Sequence, residues 1–167
     1  MELYLIRHGI AVERTAPEVH SDAERWLTEE GKKKFTEVSQ QLKSLVKKWD
    51  QIFTSPYVRA RQTADILVNT YDAGGQLEET PILEPGMRFD ALCNLLQKCS
   101  PEARVGCVGH EPDLSMMISV FVTGSPHHRF QMKKGGVCRL DFTDAIASGA
   151  AELVWLLPPK ALRKRSS

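Results

Sequence analysis

Apolar residues in this chain fall into two alternating patterns, short continuous runs and longer stretches at helical spacing. Leu3-Tyr4-Leu5-Ile6 is a run rich in branched and aromatic side chains, closed by Gly9, and it predicts a buried strand. A polar, turn-rich stretch follows from Ala11 to Trp26. A helix is then predicted from Thr28 as N-cap, with Glu29 and Glu30 complementing the positive end of its dipole. Phe35, Val38, Leu42, Leu45, Val46 and Trp49 give that helix one apolar face, and six lysines fall largely on the other side. Gln51–Thr54 predicts a short strand, after which Ser55-Pro56 offers an N-cap and a first-turn proline. The ensuing helix carries Val58, Ala60, Ala64, Ile66 and Leu67 and ends before Gly74-Gly75.

A short segment around Pro81-Ile82-Leu83 precedes a third helix, whose apolar face is Phe89, Leu92, Leu95 and Leu96. Arg104–Val108 predicts another central strand, and Pro112 opens a helix running through Leu114, Met117, Ile118 and Phe121. Two final strands fit Gly136–Phe142 and Glu152–Leu157, with a turn near Ser148-Gly149. Strands alternating with helices predict an α/β fold with a mainly parallel sheet covered on both faces. The last two strands lack an intervening helix, so part of the sheet should be antiparallel.

Composition narrows the reading without redirecting it. A length of 167 residues suits one domain, placed at 1–158, with 159–167 as a basic, solvated tail ending Arg163-Lys164-Arg165 and two serines. A net charge of +1 gives no global electrostatic case for nucleic acid or a membrane as partner. Cys93, Cys99, Cys107 and Cys138 show neither metal-type spacing nor a Cys-x-x-Cys pair. Glu2 falls where the apolar region of a signal peptide would begin, and no apolar stretch is long enough to cross a bilayer. A reduced, cytoplasmic, monomeric protein is the expectation.

Chemistry concentrates at three predicted strand ends: Arg7-His8-Gly9, then Ser55-Pro56-Tyr57-Val58-Arg59, then Gly109-His110. In a parallel sheet these ends share one edge, where open α/β sheets place their ligands. Arg7 and Arg59 are forked, permanently charged donors, and Arg59 lies on the first turn of a helix whose free N–H groups favour anions. Together with two histidines they describe a phosphate pocket with a nucleophile inside it. His20, His127 and His128 sit in polar, turn-like surroundings and read as surface residues, and Lys133-Lys134-Gly135-Gly136 reads as a solvated turn.

Arg7-His8-Gly9, Ser55-Pro56-x-x-Arg59-Ala60-x-Gln62-Thr63 and Gly109-His110 together resemble the histidine phosphatase (phosphoglycerate mutase-like) superfamily. Leu27-Thr28-x-x-Gly31 and Gly109-His110-x-Pro112-x-Leu114 are similar, more narrowly, to its SixA branch of phosphohistidine phosphatases. The resemblance implies a three-layer α/β/α sandwich and makes His8 the nucleophile that accepts a phosphoryl group. Arg7 and Arg59 would grip its oxygens, with His110 as the second histidine and Gly9 in the binding loop. It implies no metal or cofactor, since arginine and histidine supply the positive charge. Leu67–Glu84 is too short for the cap insertion of larger members, so the pocket should be open enough for a phosphate carried on another protein. The expected partner is a phosphohistidine-bearing phosphorelay or phosphocarrier protein. Small-molecule phosphomonoester hydrolysis or mutase chemistry, and non-catalytic phosphohistidine binding, are the alternatives. Glu84, Asp22 and Glu111 are the candidates for a proton donor. Imidazole leaves more easily than an alkoxide, so phosphohistidine makes the least demand on such a group.

Overall fold

The computed structural model describes residues 1–163. Its centre is a six-stranded sheet formed by β1 (Glu2–Arg7), β2 (Gln51–Thr54), β3 (Leu77–Glu79), β4 (Arg104–Gly109), β5 (Val137–Asp141) and β6 (Glu152–Leu157). The spatial order is β3-β2-β4-β1-β5-β6. The first four run parallel; β5 pairs antiparallel with β1, and β6 antiparallel with β5 at the sheet edge. The helices are α1 (Glu29–Leu42), α2 (Val58–Tyr71), α3 (Phe89–Leu96), α4 (Asp113–Thr123) and α5 (Pro159–Leu162).

Alternation along the strands explains the layering. Leu3 and Leu5 of β1 join Leu92, Leu96, Leu114 and Phe121 in the core under α3 and α4. Tyr4 and Ile6 point the other way and join Phe35, Val38, Ala60 and Leu67 under α1 and α2. A strand with helices on both faces has no polar side to show, which is why Leu3–Ile6 reads as a continuous apolar run. The mixed α/β sandwich expected from the sequence is the observed fold.

Several boundaries differ. α1 stops at Leu42; Val46 and Trp49 are buried from the loop beyond it, whereas Leu45 is exposed. α2 begins at Val58 rather than Pro56, because the Ser55 hydroxyl accepts the Tyr57 N–H and delays the first helical turn. β3 and the 3-10 turns Gly74–Gln76 and Pro81–Leu83 fill the stretch between α2 and α3, so no inserted helix covers the sheet edge there. Residues 159–163, read as solvated tail, instead begin with α5: Leu162 is buried and Arg163 pairs with Glu37 of α1. Residues 164–167, the rest of that expected tail, lie outside the described residues. No described helix is long and apolar enough to cross a membrane.

Candidate active site

The parallel register does the assembling. Arg7 pairs with Gly109 and Thr54 with Val108, so His8, Ser55 and His110 each leave the sheet at the same edge. The His8 and His110 rings lie 5.2 Å apart between centroids. With Arg7 and Arg59 they line an open cleft of about 220 Å³. All four residues placed together by the sequence argument are therefore brought together in space.

His8 is buried, and its tautomer follows from its partners. Nδ1 lies 2.7 Å from the Gly9 carbonyl, which accepts only, so Nδ1 carries the proton. Nε2 is left with its lone pair, and Arg59 Nε donates to it at 3.2 Å. Burial, with the neighbouring charges of Arg59 and Arg7, takes the imidazole down to about 3 despite the opposing Gly9 hydrogen bond. His8 is thus neutral at pH 7, with an unprotonated nitrogen facing a guanidinium.

His110 is prepared differently. Its Nε2 lies 2.9 Å from Ser55 Oγ, which already accepts the Tyr57 N–H and has one proton to give. Donation from Ser55 leaves the His110 proton on Nδ1, a buried atom with no partner. Arg7 Nε is likewise buried without a partner, while Arg7 Nη1 donates to Met132 O at 2.7 Å. Two unpaired buried donors beside a lone-pair nitrogen are what an oxyanion would complete. Burial and the charge of Arg59 take His110 down to about 4, so it is neutral when the cleft is empty.

Gly9 plays a different part from the one expected. Its N–H is given to Thr63 Oγ1 at 3.1 Å, so it is not free for an anion. Its carbonyl fixes His8, and it borders a neighbouring groove instead. Lys134, expected in a solvated turn, lines the cleft. Gly135 beside it has φ +76 and gives its N–H to the carbonyls of Arg7 and His8, folding that turn over the end of β1. His20, His127 and His128 are exposed, as expected.

The three acid candidates separate clearly. Asp22 accepts from Arg59 Nη2 at 2.8 Å, from Arg25 Nη1 at 2.9 Å, and pairs with Arg14. Burial alone would raise it, but those hydrogen bonds and charges bring it to about 2, so it holds no proton to donate. Glu84 is not among the cleft residues. Glu111 is, and burial raises its pKa against the opposing Ser115 hydrogen bond and Arg7 charge. Sequence reading missed Arg14, Arg25 and Pro85 as cleft residues. They lie outside the helices and strands, so no periodicity marks them, and only the charges of the Ala11–Trp26 stretch hinted at Arg14 and Arg25.

Comparison with known proteins gives a consistent result. The model of the histidine phosphatase superfamily (branch 1) matches residues 3–84. A protein from Picosynechococcus sp. (strain PCC 7002), described only as uncharacterized, is 35% identical over 155 residues, covering 92% of this chain and 88% of its own. Among solved structures, the protein histidine phosphatase SixA complexed with tungstate has a TM-score of 0.83 at 22% identity, covering 98% of this chain and all of that one. Phosphoserine phosphatase from Entamoeba histolytica, in complex with 3-phosphoglyceric acid, has a TM-score of 0.67 at 20% identity, with 93% and 95% covered. At those identities the likeness to both structures is one of fold, the phosphoglycerate mutase-like arrangement.

Proposed function

This chain belongs to the histidine phosphatase superfamily, and from that footing we propose that it dephosphorylates phosphohistidine on another protein through a covalent intermediate on His8. The observation that carries the reading is the His8 ring itself, proton held on Nδ1 by Gly9 O and lone pair on Nε2 beside Arg59. In the first step Nε2 attacks phosphorus as the substrate's P–N bond breaks, and the departing imidazole takes a proton from solvent in the open cleft and leaves neutral. Arg7, Arg59 and the Nδ1–H of His110 hold the three equatorial oxygens as charge spreads over them. In the second step water attacks phosphorus, the bond to His8 breaks, and inorganic phosphate departs. The transfer is nearly balanced, imidazole to imidazole, and hydrolysis drives it forward. The open cleft suits a phosphate presented by a protein surface.

A phosphomonoester substrate is the second reading, and Glu111 is the observation that favours it. An alkoxide leaving group calls for a proton donor, and Glu111 is a cleft carboxyl whose hold on its proton burial strengthens. The two readings separate in one assay, in which the chain is offered a phosphorylated histidine-carrier protein beside a panel of phosphorylated metabolites. Turnover of the carrier protein, with an acid-labile, base-stable label trapped on His8 and absent in His8→Ala, is the expected result. Turnover of a sugar phosphate alone would reject the first reading. Guanidinium and imidazolium supply the charge, so activity should survive a strong chelator.

A further inference from the structure

Beside the cleft lies a larger groove of about 570 Å³, and its chemistry is not that of a phosphate site. Its floor is apolar, made by Ile10, the α1 side chains Phe35 and Val38, and the Pro158-Pro159 corner. Its rim is cationic. Two rim cations are neutralised, Lys34 by Glu30 and Arg163 by Glu37. Lys133, Lys134 and Lys160 have no carboxylate within ion-pair distance among the described residues, and they stand around one opening. Like charges gathered over an apolar floor repel one another, and water gains nothing from the floor. An occupant with an apolar body and flanking carboxylates relieves both.

The groove is continuous with the phosphate cleft. Arg7 and Lys134 line each of them, and the turn carrying Lys134 is tied to the His8 carbonyl through Gly135. Whatever fills the groove therefore lies directly beside a phosphoryl group on His8 or its donor. On the phosphatase reading above, on which this step rests, the occupant is part of the substrate. We propose that the groove is the docking subsite for the phosphoprotein, taking an apolar side chain flanked by aspartate or glutamate close to the phosphorylated histidine. The phosphate pocket then supplies the chemistry, and the groove supplies the choice of partner. The floor fixes an anchor, while Lys133, Lys134 and Lys160 steer the acidic flank and set its register.

Two synthetic peptides phosphorylated on a single histidine with phosphoramidate test this. One carries leucine and glutamates around the histidine, and the other carries serine and lysines. Free phosphohistidine, which fills the cleft alone, is the reference. Wild type should prefer the acidic-apolar peptide by about tenfold in kcat/KM, chiefly through KM, and the preference should shrink as salt rises. Lys133→Glu with Lys160→Glu should remove that preference relative to free phosphohistidine, and Lys133→Arg with Lys160→Arg should keep it. Equal turnover of both peptides, or a preference that survives charge reversal, overturns the docking subsite and leaves the phosphatase reading standing. Fluorescence anisotropy with the same peptides unphosphorylated separates the opposite failure. Charge-dependent binding of the acidic peptide without turnover of either phosphopeptide would keep the subsite and reject the phosphatase. Absence of binding as well would reject both.

Discussion

Within the cleft the side chains have different jobs, and the jobs differ in what they should cost to lose. Arg7 and Arg59 meet developing charge in the transition state, so Arg7→Ala and Arg59→Ala should each lower kcat by about 10²-fold or more. Arg59 also donates to His8 Nε2 and holds Asp22, so its loss should weaken binding of tungstate as well as slow turnover, which titration of each variant would register. Glu111 should behave conditionally. Glu111→Gln removes the cleft carboxyl whose pKa burial raises, while leaving a side chain of the same shape. Its kcat on a phosphohistidine peptide should stay within a few fold of the parent, whereas any phosphomonoesterase activity should fall by about 10²-fold. A common loss on both substrates would mean that Glu111 holds Arg7 in place instead of giving up a proton. Asp22→Asn offers the contrast: with its carboxyl already at about 2, it has no proton-donor activity to lose.

Secondary-structure elements position these residues through a few tight contacts, and α1 shows how. Thr28 accepts the Gly31 N–H at 2.9 Å, and its own N–H reaches Ile10 O at 2.9 Å. A Cβ on Gly31 would sit 2.1 Å from that same carbonyl, so helix and loop cannot approach this closely with any other residue. Gly31→Ala should cost about 2 kcal/mol or more in urea unfolding, since backbone rather than a mobile side chain must yield. Thr28→Ala should cost about 1 kcal/mol. The pair should be non-additive because the Thr28 hydroxyl bonds the Gly31 N–H directly and also donates to Ile10 O at 3.4 Å. Gln62 and Thr63 on α2 do the complementary work, Gln62 Oε1 accepting the Leu27 N–H at 2.7 Å and Thr63 Oγ1 accepting the Gly9 N–H. Much of this was legible from residues alone. The Leu3–Ile6 run, the Thr28 cap and the shared edge of Arg7, Arg59 and His110 all follow from pattern, because strand ends and caps are local statements. What escaped was non-local. Val46 and Trp49 keep helical spacing yet are buried from a loop, and β3, a partly exposed edge strand of three residues, carries no apolar alternation. Arg14, Arg25 and Lys134 reach the cleft from irregular segments, where no residue pattern says which way the chain turns back.

At the scale of the whole molecule, the sheet takes two imidazoles out of water and keeps them uncharged. That arrangement has a consequence for stability that can be measured without any substrate. In the unfolded chain each histidine titrates near 6.5, whereas in the fold His8 lies at about 3 and His110 at about 4, burial being the main cause for both. Between those values the unfolded state binds more protons than the folded one, so stability rises with pH through this window and is lost as pH falls below 6.5. By pH 5 the loss should reach up to about 2 kcal/mol per ring, seen as a falling urea midpoint at constant m-value. Asp22, at about 2, adds its own loss only below the ordinary carboxylate range, so the two contributions separate along the pH axis. Replacing both rings, in His8→Asn with His110→Asn, should flatten the profile between pH 6.5 and 5 and leave the lower limb intact. An oxyanion in the cleft should favour protonated His110, so tungstate should soften the same decline in the parent protein. A parent profile already flat from pH 6.5 to 5 would mean that the folded protein accepts protons on these rings. His8 would then lack the free lone pair on which nucleophilic attack depends.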